Sequence, residues 1–402
     1  RMLGVVGAIA GFVAGLTPYL ALPWFARHAG AAWVWGDVTT LPAVLRHARR
    51  SDFGSTALSR WGGEMEPLRQ LGAFARSLVA PSLLLLTLAA MAGVVAIARA
   101  ARRGAIDRES PAPWLALLAS FLLAGPVMLA LFNLRPEGLT APTVERFYLL
   151  PLLLLTPLVA RGIDLARAPL SRQTLLAPTL ACMLPAPALA LSIEVAAAAH
   201  RPTLERYLAN TLECAPPRAV VMDRTDLAVF GFLYAQHVRG LRPDVLHIHP
   251  SFLVFDWYRG RASKALGVEI PAGAVGHAPE IRDVAMAVFA AGRPLLVADE
   301  TFVGKLAPLV TYPFGTGLIV VRDATELPSP DRLEAMNLSV FARFVFEPEE
   351  PPCSDVWSTT LTHSYARPFA ALARAFDAAG RGQDATRNRA RASSLSRCPS
   401  PF

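Results

Sequence analysis

The chain has 402 residues, 53% of them apolar, and a formal net charge of +8. That length allows two or three domains. The charge is uneven: 17 basic against 10 acidic residues give +7 for 1–199, and 22 against 21 give +1 for 200–402. A nucleic-acid-binding domain carries a dense basic face on its folded part. Here the surplus lies in loops between apolar runs, which excludes nucleic acid as a partner and points to membrane topology.

Four cysteines, Cys182, Cys214, Cys353 and Cys398, make no metal spacing. Only a Cys214–Cys353 bridge stays open, on an oxidising side of a membrane. The first apolar run is too long for a signal peptide and has no small-residue cleavage site. The chain opens with Arg1, and an upstream part is expected.

In chain order, Met2–Phe25 reads as a first span, with Gly4, Gly7, Gly11 and Gly15 on one helical face where another helix can pack closely. A polar loop rich in Trp and Gly follows to Ser77. Leu78–Ala98, Pro113–Phe132, the shorter Phe147–Ala160 and Thr174–Ala199 read as four more spans, judged by bilayer thickness. Four arginines in 99–112 and three in 161–173 place those connections in the cytoplasm, and 27–77, 133–146 and everything after 200 on the exoplasmic side.

The exoplasmic loops hold the first candidate residues. Trp35 suits the interface, and Asp37 or Thr39 can cap a helix start. Arg49, Arg50 and Asp52, with His47, crowd a short amphipathic stretch that either holds a phosphate or anchors to anionic headgroups. Arg146 and Tyr148 stand at the mouth of the fourth span. There Arg146 either snorkels to the interface or grips the phosphate of a lipid-linked substrate.

Beyond His200 the pattern is that of a soluble layer. RAVVMD (218–223), PDVLHIH (243–249) and PLLVAD (294–299) read as strands alternating with helices over 227–238, capped by Thr225 or Asp226, about 255–267 and 281–291. Such alternation predicts a small parallel α/β layer. Asp223 and Asp299 fall where these sheets place ligands. No glycine-rich phosphate loop accompanies them, so no nucleotide cofactor is expected. His247 and His249 share a strand face without a third ligand at reinforcing spacing. A divalent cation is the one cofactor left open. Residues 347–352 read as a linker, 364–379 as a last helix and 380–402 as a disordered tail.

The fold class is therefore expected to be mixed: a helical transmembrane bundle of about five spans over 1–199, with the exoplasmic loop 27–77, then a small extramembrane α/β domain over 200–346. Linker, short helix and tail fill 347–402.

The order GLTPYLALP (15–23), WGD (35–37), RRSDFG (49–54) and ERFYLLP (145–151) resembles the middle of the DUF2723 family, the TMEM260-like protein O-mannosyltransferases among the GT-C membrane glycosyltransferases. Residues 212–258 are similar to that family's soluble segment, with RPDV (242–245) and WY (257–258) the most specific pieces. The resemblance covers about 1–260. It implies a membrane glycosyltransferase moving a sugar, mannose as a candidate, from a polyprenyl-phosphate donor to a protein or lipid-linked acceptor on the exoplasmic side. The family's GDND is MDRTD here, keeping Asp223 and Asp226 as acids. The family's acidic catalytic loop has no counterpart in these residues and is expected upstream, so the catalytic residues stay unassigned.

The resulting expectation is a multi-pass protein of a bacterial inner membrane, bearing the C-terminal portion of such an enzyme on its periplasmic face. A non-catalytic, membrane-anchored glycan- or protein-binding protein is the alternative. A transporter fits less well, since no inverted repeat is visible.

Overall fold

A computed structural model describes residues 2–28, 35–53, 63–80, 83–102, 112–167, 186–199, 202–274, 276–346 and 356–396. Cys182, Cys353 and Cys398, residues 174–185 of the fifth expected span and most of the 99–112 connection lie outside these. The chain divides into two compact units, one of 1–44 with 201–402 and one of 45–200. The first 44 residues fall in the unit that holds the sheet.

The 45–200 unit is helical. Helix Pro67–Leu78 packs Phe74 against Leu129, Phe132, Val144 and Tyr148, a small apolar core. Pro113–Ala130 is long and apolar enough to cross a bilayer by itself. It is not a plain α-helix: Ala112–Leu122 passes through a wide π turn, Leu123–Val127, into Met128–Ala130. Pro126 sits in that turn, where its missing N–H and its ring would break regular α-helical bonding. The expected fourth span becomes Thr143–Leu154 and Thr156–Asp164, bent by 42° and long enough only as a pair. Its second half runs on to Arg167, so Arg161 lies inside a helix rather than in a connection. Leu84–Arg99 is apolar but shorter, and Ala186–Ala199 is a helix of 14 residues.

Close helix packing occurs where the sequence did not point. Gly7, Gly11 and Gly15 of helix Met2–His28 have nothing within 4 Å of an added Cβ. Helices Leu84–Arg102 and Thr156–Arg167 instead meet through Gly93 and Gly162, where a Cβ on either would strike a backbone carbonyl of the other helix.

In the other unit a five-stranded mixed sheet has the order β2-β1-β3-β5-β4. Its strands are β1 (Val220–Met222), β2 (Leu246–Ile248), β3 (Leu295–Val297), β4 (Val310–Phe314) and β5 (Gly317–Val321). The three expected strands are parallel neighbours, and the hairpin β4–β5 adds antiparallel strands beside β3. Both sheet faces are covered, as parallel strands require. Val221, Leu296 and Ile319 meet Phe232, Leu208 and Leu212 on one face; Val220, Met222 and Leu295 meet Leu253, Val284 and Val288 on the other.

The stretch read as a disordered tail contains a helix, Gly382–Leu395. Its Arg387, Asn388 and Arg391 bond the buried carboxylate of Glu334 on helix Pro330–Phe341. Low hydrophobicity suggested disorder; pairing to a buried acid supplies the order instead.

Candidate functional site

The sheet reverses its winding at β1. The chain goes from β1 to β2 on one side, then crosses to β3 on the other. In an open α/β sheet, the strand ends at such a reversal leave a crevice in which ligands bind. Asp223 directly follows β1, His249 directly follows β2, and Asp299 lies two residues past β3. The ends are in register: Met222 pairs with Ile248 and Val297, and the Ala298 N–H donates to the Met222 carbonyl at 2.9 Å.

Asp223 is 5% exposed. Its Oδ1 accepts the Thr225 backbone N–H at 2.7 Å and the Thr225 hydroxyl at 2.9 Å. Thr225 also accepts the Ala228 N–H at 3.2 Å and so caps helix Asp226–His237. Asp299 repeats the turn with Thr301, at 2.8 and 2.7 Å. Arg224, between the two acids, pairs with Asp299 at 3.2 Å, and its carbonyl lies 2.8 Å from Nε2 of buried His249. Burial first, and the Asp299 charge with it, push the Asp223 carboxyl above its ordinary range against the Thr225 bonds. Tyr207 is pushed up to about 12, by burial and then by Asp223. Arg367 and Glu300 form an ion pair on the same side of β3.

An aromatic ledge adjoins these strand ends. Trp35 meets Phe252 edge-on at 4.7 Å and Trp257 at 5.3 Å, and His249 stacks on Phe252 at 3.9 Å. The Tyr258 hydroxyl accepts the His249 N–H at 2.9 Å. Arg261 lies 5.5 Å over the Trp257 ring; burial lowers its pKa, and the Asp37 charge opposes that. Gly36 and Asp37 take left-handed backbone angles, φ 81° and 46°, which turn Trp35 onto the ledge. The helix start expected to be capped by Asp37 or Thr39 is capped by Thr40, whose hydroxyl accepts the Ala43 N–H at 3.4 Å. Asp37 instead accepts from Thr39.

The RPDV residues work at the opposite end of the sheet. Arg242 forks onto Asp244 at 2.8 and 2.9 Å and donates to the carbonyls of Leu212, Ala215 and Pro216, which close helix Thr203–Cys214. Asp244 accepts the Arg218 N–H at 2.8 Å, and the Arg242 fork holds its carboxyl well below the usual range. Arg293 bridges the Arg218 and Asp244 carbonyls at 2.6 and 2.7 Å. These bonds lock the starts of the three parallel strands together.

Of the expected residues, Asp223, Trp35 and Asp37 belong to this site, and Asp226 opens the helix beside it. Arg49, Arg50 and Asp52 belong to the other unit, at the end of helix Leu41–Ala48 and in the turn Ser51–Phe53. So do Arg146 and Tyr148, which differ: Arg146 is exposed over the Phe147 ring at 5.2 Å, and Tyr148 is buried against Phe74. In that unit a cleft of about 640 Å³ joins Glu64 and Glu66 to Arg135 and Thr140, and Arg135 pairs with Glu66 at 3.1 Å. Arg224, Tyr207 and Arg367 were not singled out from sequence. Arg224 follows a strand-end acid, a signal that was available; Tyr207 and Arg367 come from distant helices and left none.

Among the described residues, no three His, Cys, Asp or Glu side chains are placed to hold a metal ion. His247 packs on Phe232 at 4.7 Å, and burial lowers its pKa to about 3. Cys214 is buried as a free thiol.

No family model matches the chain, and no solved structure does. The chain is similar to the mouse (Mus musculus) protein O-mannosyl-transferase TMEM260, 27% identical over 273 residues. The match covers 65% of this chain and 37% of that protein, so the chain spans little more than a third of its relative's length. This is distant similarity to a glycosyltransferase, carried by a largely helical chain with a small mixed sheet; among the described residues Pro113–Ala130, and the bent pair if it counts as one span, pass for length and apolar content as membrane-crossing helices.

Proposed function

We propose that the chain is part of a multi-pass membrane glycosyltransferase, in which about five spans carry an exoplasmic α/β domain. The enzyme moves a sugar, with mannose the first candidate, from a polyprenyl-phosphate donor to a protein or lipid-linked acceptor. The observation that carries this reading is the 27% identity over 273 residues to the mouse O-mannosyl-transferase. The Arg135–Glu66 pair supports the topology, because it joins the two loops that the arginine distribution assigns to one side.

The strand-end crevice is the glycan or acceptor subsite in this reading. A sugar offers an apolar C–H face and a rim of hydroxyls. Ring faces of Trp35 and Trp257 match the first, and carboxylates at Asp223 and Asp299 accept from the second. The acceptor proton goes to a carboxylate and the leaving phosphate is stabilised by a cation; Arg146 is the residue proposed for the phosphate.

The test is transfer of labelled sugar from polyprenyl-phosphate mannose by the complete gene product in membranes. We expect transfer, reduced at least ~10-fold by Asp223→Asn at equal inserted protein, about 1.4 kcal/mol of transition-state stabilisation. Glycan retention without transfer would favour a glycan-binding protein, a reading suggested by the ledge and acids alone.

A further inference from the structure

Helix Asp226–His237 buries Ala228, Val229, Phe232 and Ala235, yet leaves Phe230 58% and Tyr234 44% exposed, with Val238 just beyond it at 59%. Steps of four residues put these three in one row along the helix. Single exposed apolar residues need no explanation, but a row of them marks a contact surface.

The neighbouring chain indicates what covers it. Helix Met2–His28, in the same unit, exposes Val6, Val13, Leu20 and Trp24 along one face with Phe25 beside them, an apolar surface that suits lipid. Its last turn is tied to the ledge: the Arg27 guanidinium donates to the Thr39 carbonyl at 2.8 Å, and Trp35 lies 6.4 Å from the Phe230 ring. The end of the lipid-suited helix and the exposed row therefore meet in one part of the unit.

We propose that Phe230, Tyr234 and Val238 rest in the headgroup–acyl boundary of the bilayer that takes up helix Met2–His28. The partner is a lipid surface, and the inference rests on the membrane reading above. A tyrosine keeps its ring in the apolar layer and its hydroxyl in water. Arg239, paired with Glu205, stands beside it at headgroup level. The crevice at Asp223 opens just before this helix, so the docking holds it near the surface where a polyprenyl-linked substrate presents its polar head.

The test places the photoreactive residue p-benzoylphenylalanine at Tyr234, at Leu118 inside Pro113–Ala130, and at exposed Met286, in the complete gene product in phosphatidylethanolamine–phosphatidylglycerol nanodiscs. Mass spectrometry identifies what each position captures. Seating at the boundary predicts lipid adducts at 118 and 234, the latter at least ~10-fold above 286. Lipid at 118 but not at 234 overturns the docking and leaves the membrane reading standing. Capture at 234 of this chain's own residues or of a second copy overturns it in favour of a protein contact. Lipid at 286 equal to that at 234 overturns it too, and absence of lipid at 118 overturns the membrane reading along with it.

Discussion

Gly93 and Gly162 lie back to back where helices Leu84–Arg102 and Thr156–Arg167 cross. A Cβ on Gly93 would enter the Leu158 carbonyl oxygen, and one on Gly162 the Ala89 carbonyl oxygen. Backbones approach this closely only where side chains are absent or very small. Gly93→Val or Gly162→Val must separate the helices and is expected to cost about 1–3 kcal/mol. Gly7→Ala, with open space around it, should be neutral or slightly favourable. Helical melting in detergent, compared across the three variants, is the check.

Arg242 is expected to matter to stability rather than to transfer. It satisfies three carbonyls and one carboxylate around the strand starts. Arg242→Ala strands those acceptors and should cost about 2–4 kcal/mol. Lysine cannot fork onto Asp244, so Arg242→Lys should recover only part. Equal melting temperatures for wild type and the alanine variant would contradict the clamp.

His247 predicts an acid-sensitive fold. Its pKa is near 3 when folded, against about 6.5 when unfolded, so below pH 6.5 the unfolded chain binds the extra proton. The stabilisation from keeping it neutral is complete above 6.5. It is lost as pH falls towards 3, by up to about 1.4 kcal/mol per unit. Melting temperatures between pH 7.5 and 4.5 should fall, and His247→Phe should flatten that slope. An unchanged slope would show that other groups set it.

Arg146 is exposed, as either an anchor or a phosphate-binding residue would be. If it binds the donor phosphate, Arg146→Lys loses the two-pronged contact and lowers kcat/KM at least ~10-fold, with insertion unchanged. Lysine within twofold of wild type assigns Arg146 to anchoring.

The parallel part of the sheet was legible because short apolar runs, two of them ending in acids, were separated by helical stretches; Thr225, one of the two caps expected for the first helix, does cap it. The hairpin β4–β5 was not read, although Gly315-Thr316-Gly317 between apolar runs is a turn signal. Pro313 argues against a central strand, and in fact β4 is at the sheet edge. Spans were harder: hydropathy shows where apolar residues lie, not that Pro126 widens a turn or that a helix breaks at Leu155. The site was half legible, since strand-end acids announce themselves while the tertiary neighbours Tyr207 and Arg367 do not.

The grip on Glu334 has a genetic corollary. A truncation that removes helix Gly382–Leu395 would delete residues that look expendable by composition. It would also remove Arg387, Asn388 and Arg391 together, leaving an 8%-exposed carboxylate with none of those three partners. Uncompensated buried charge costs about 3–5 kcal/mol, much of a domain's whole margin. Alleles that lose this helix should therefore behave as loss of the protein, cleared by proteolysis, rather than as harmless trimming.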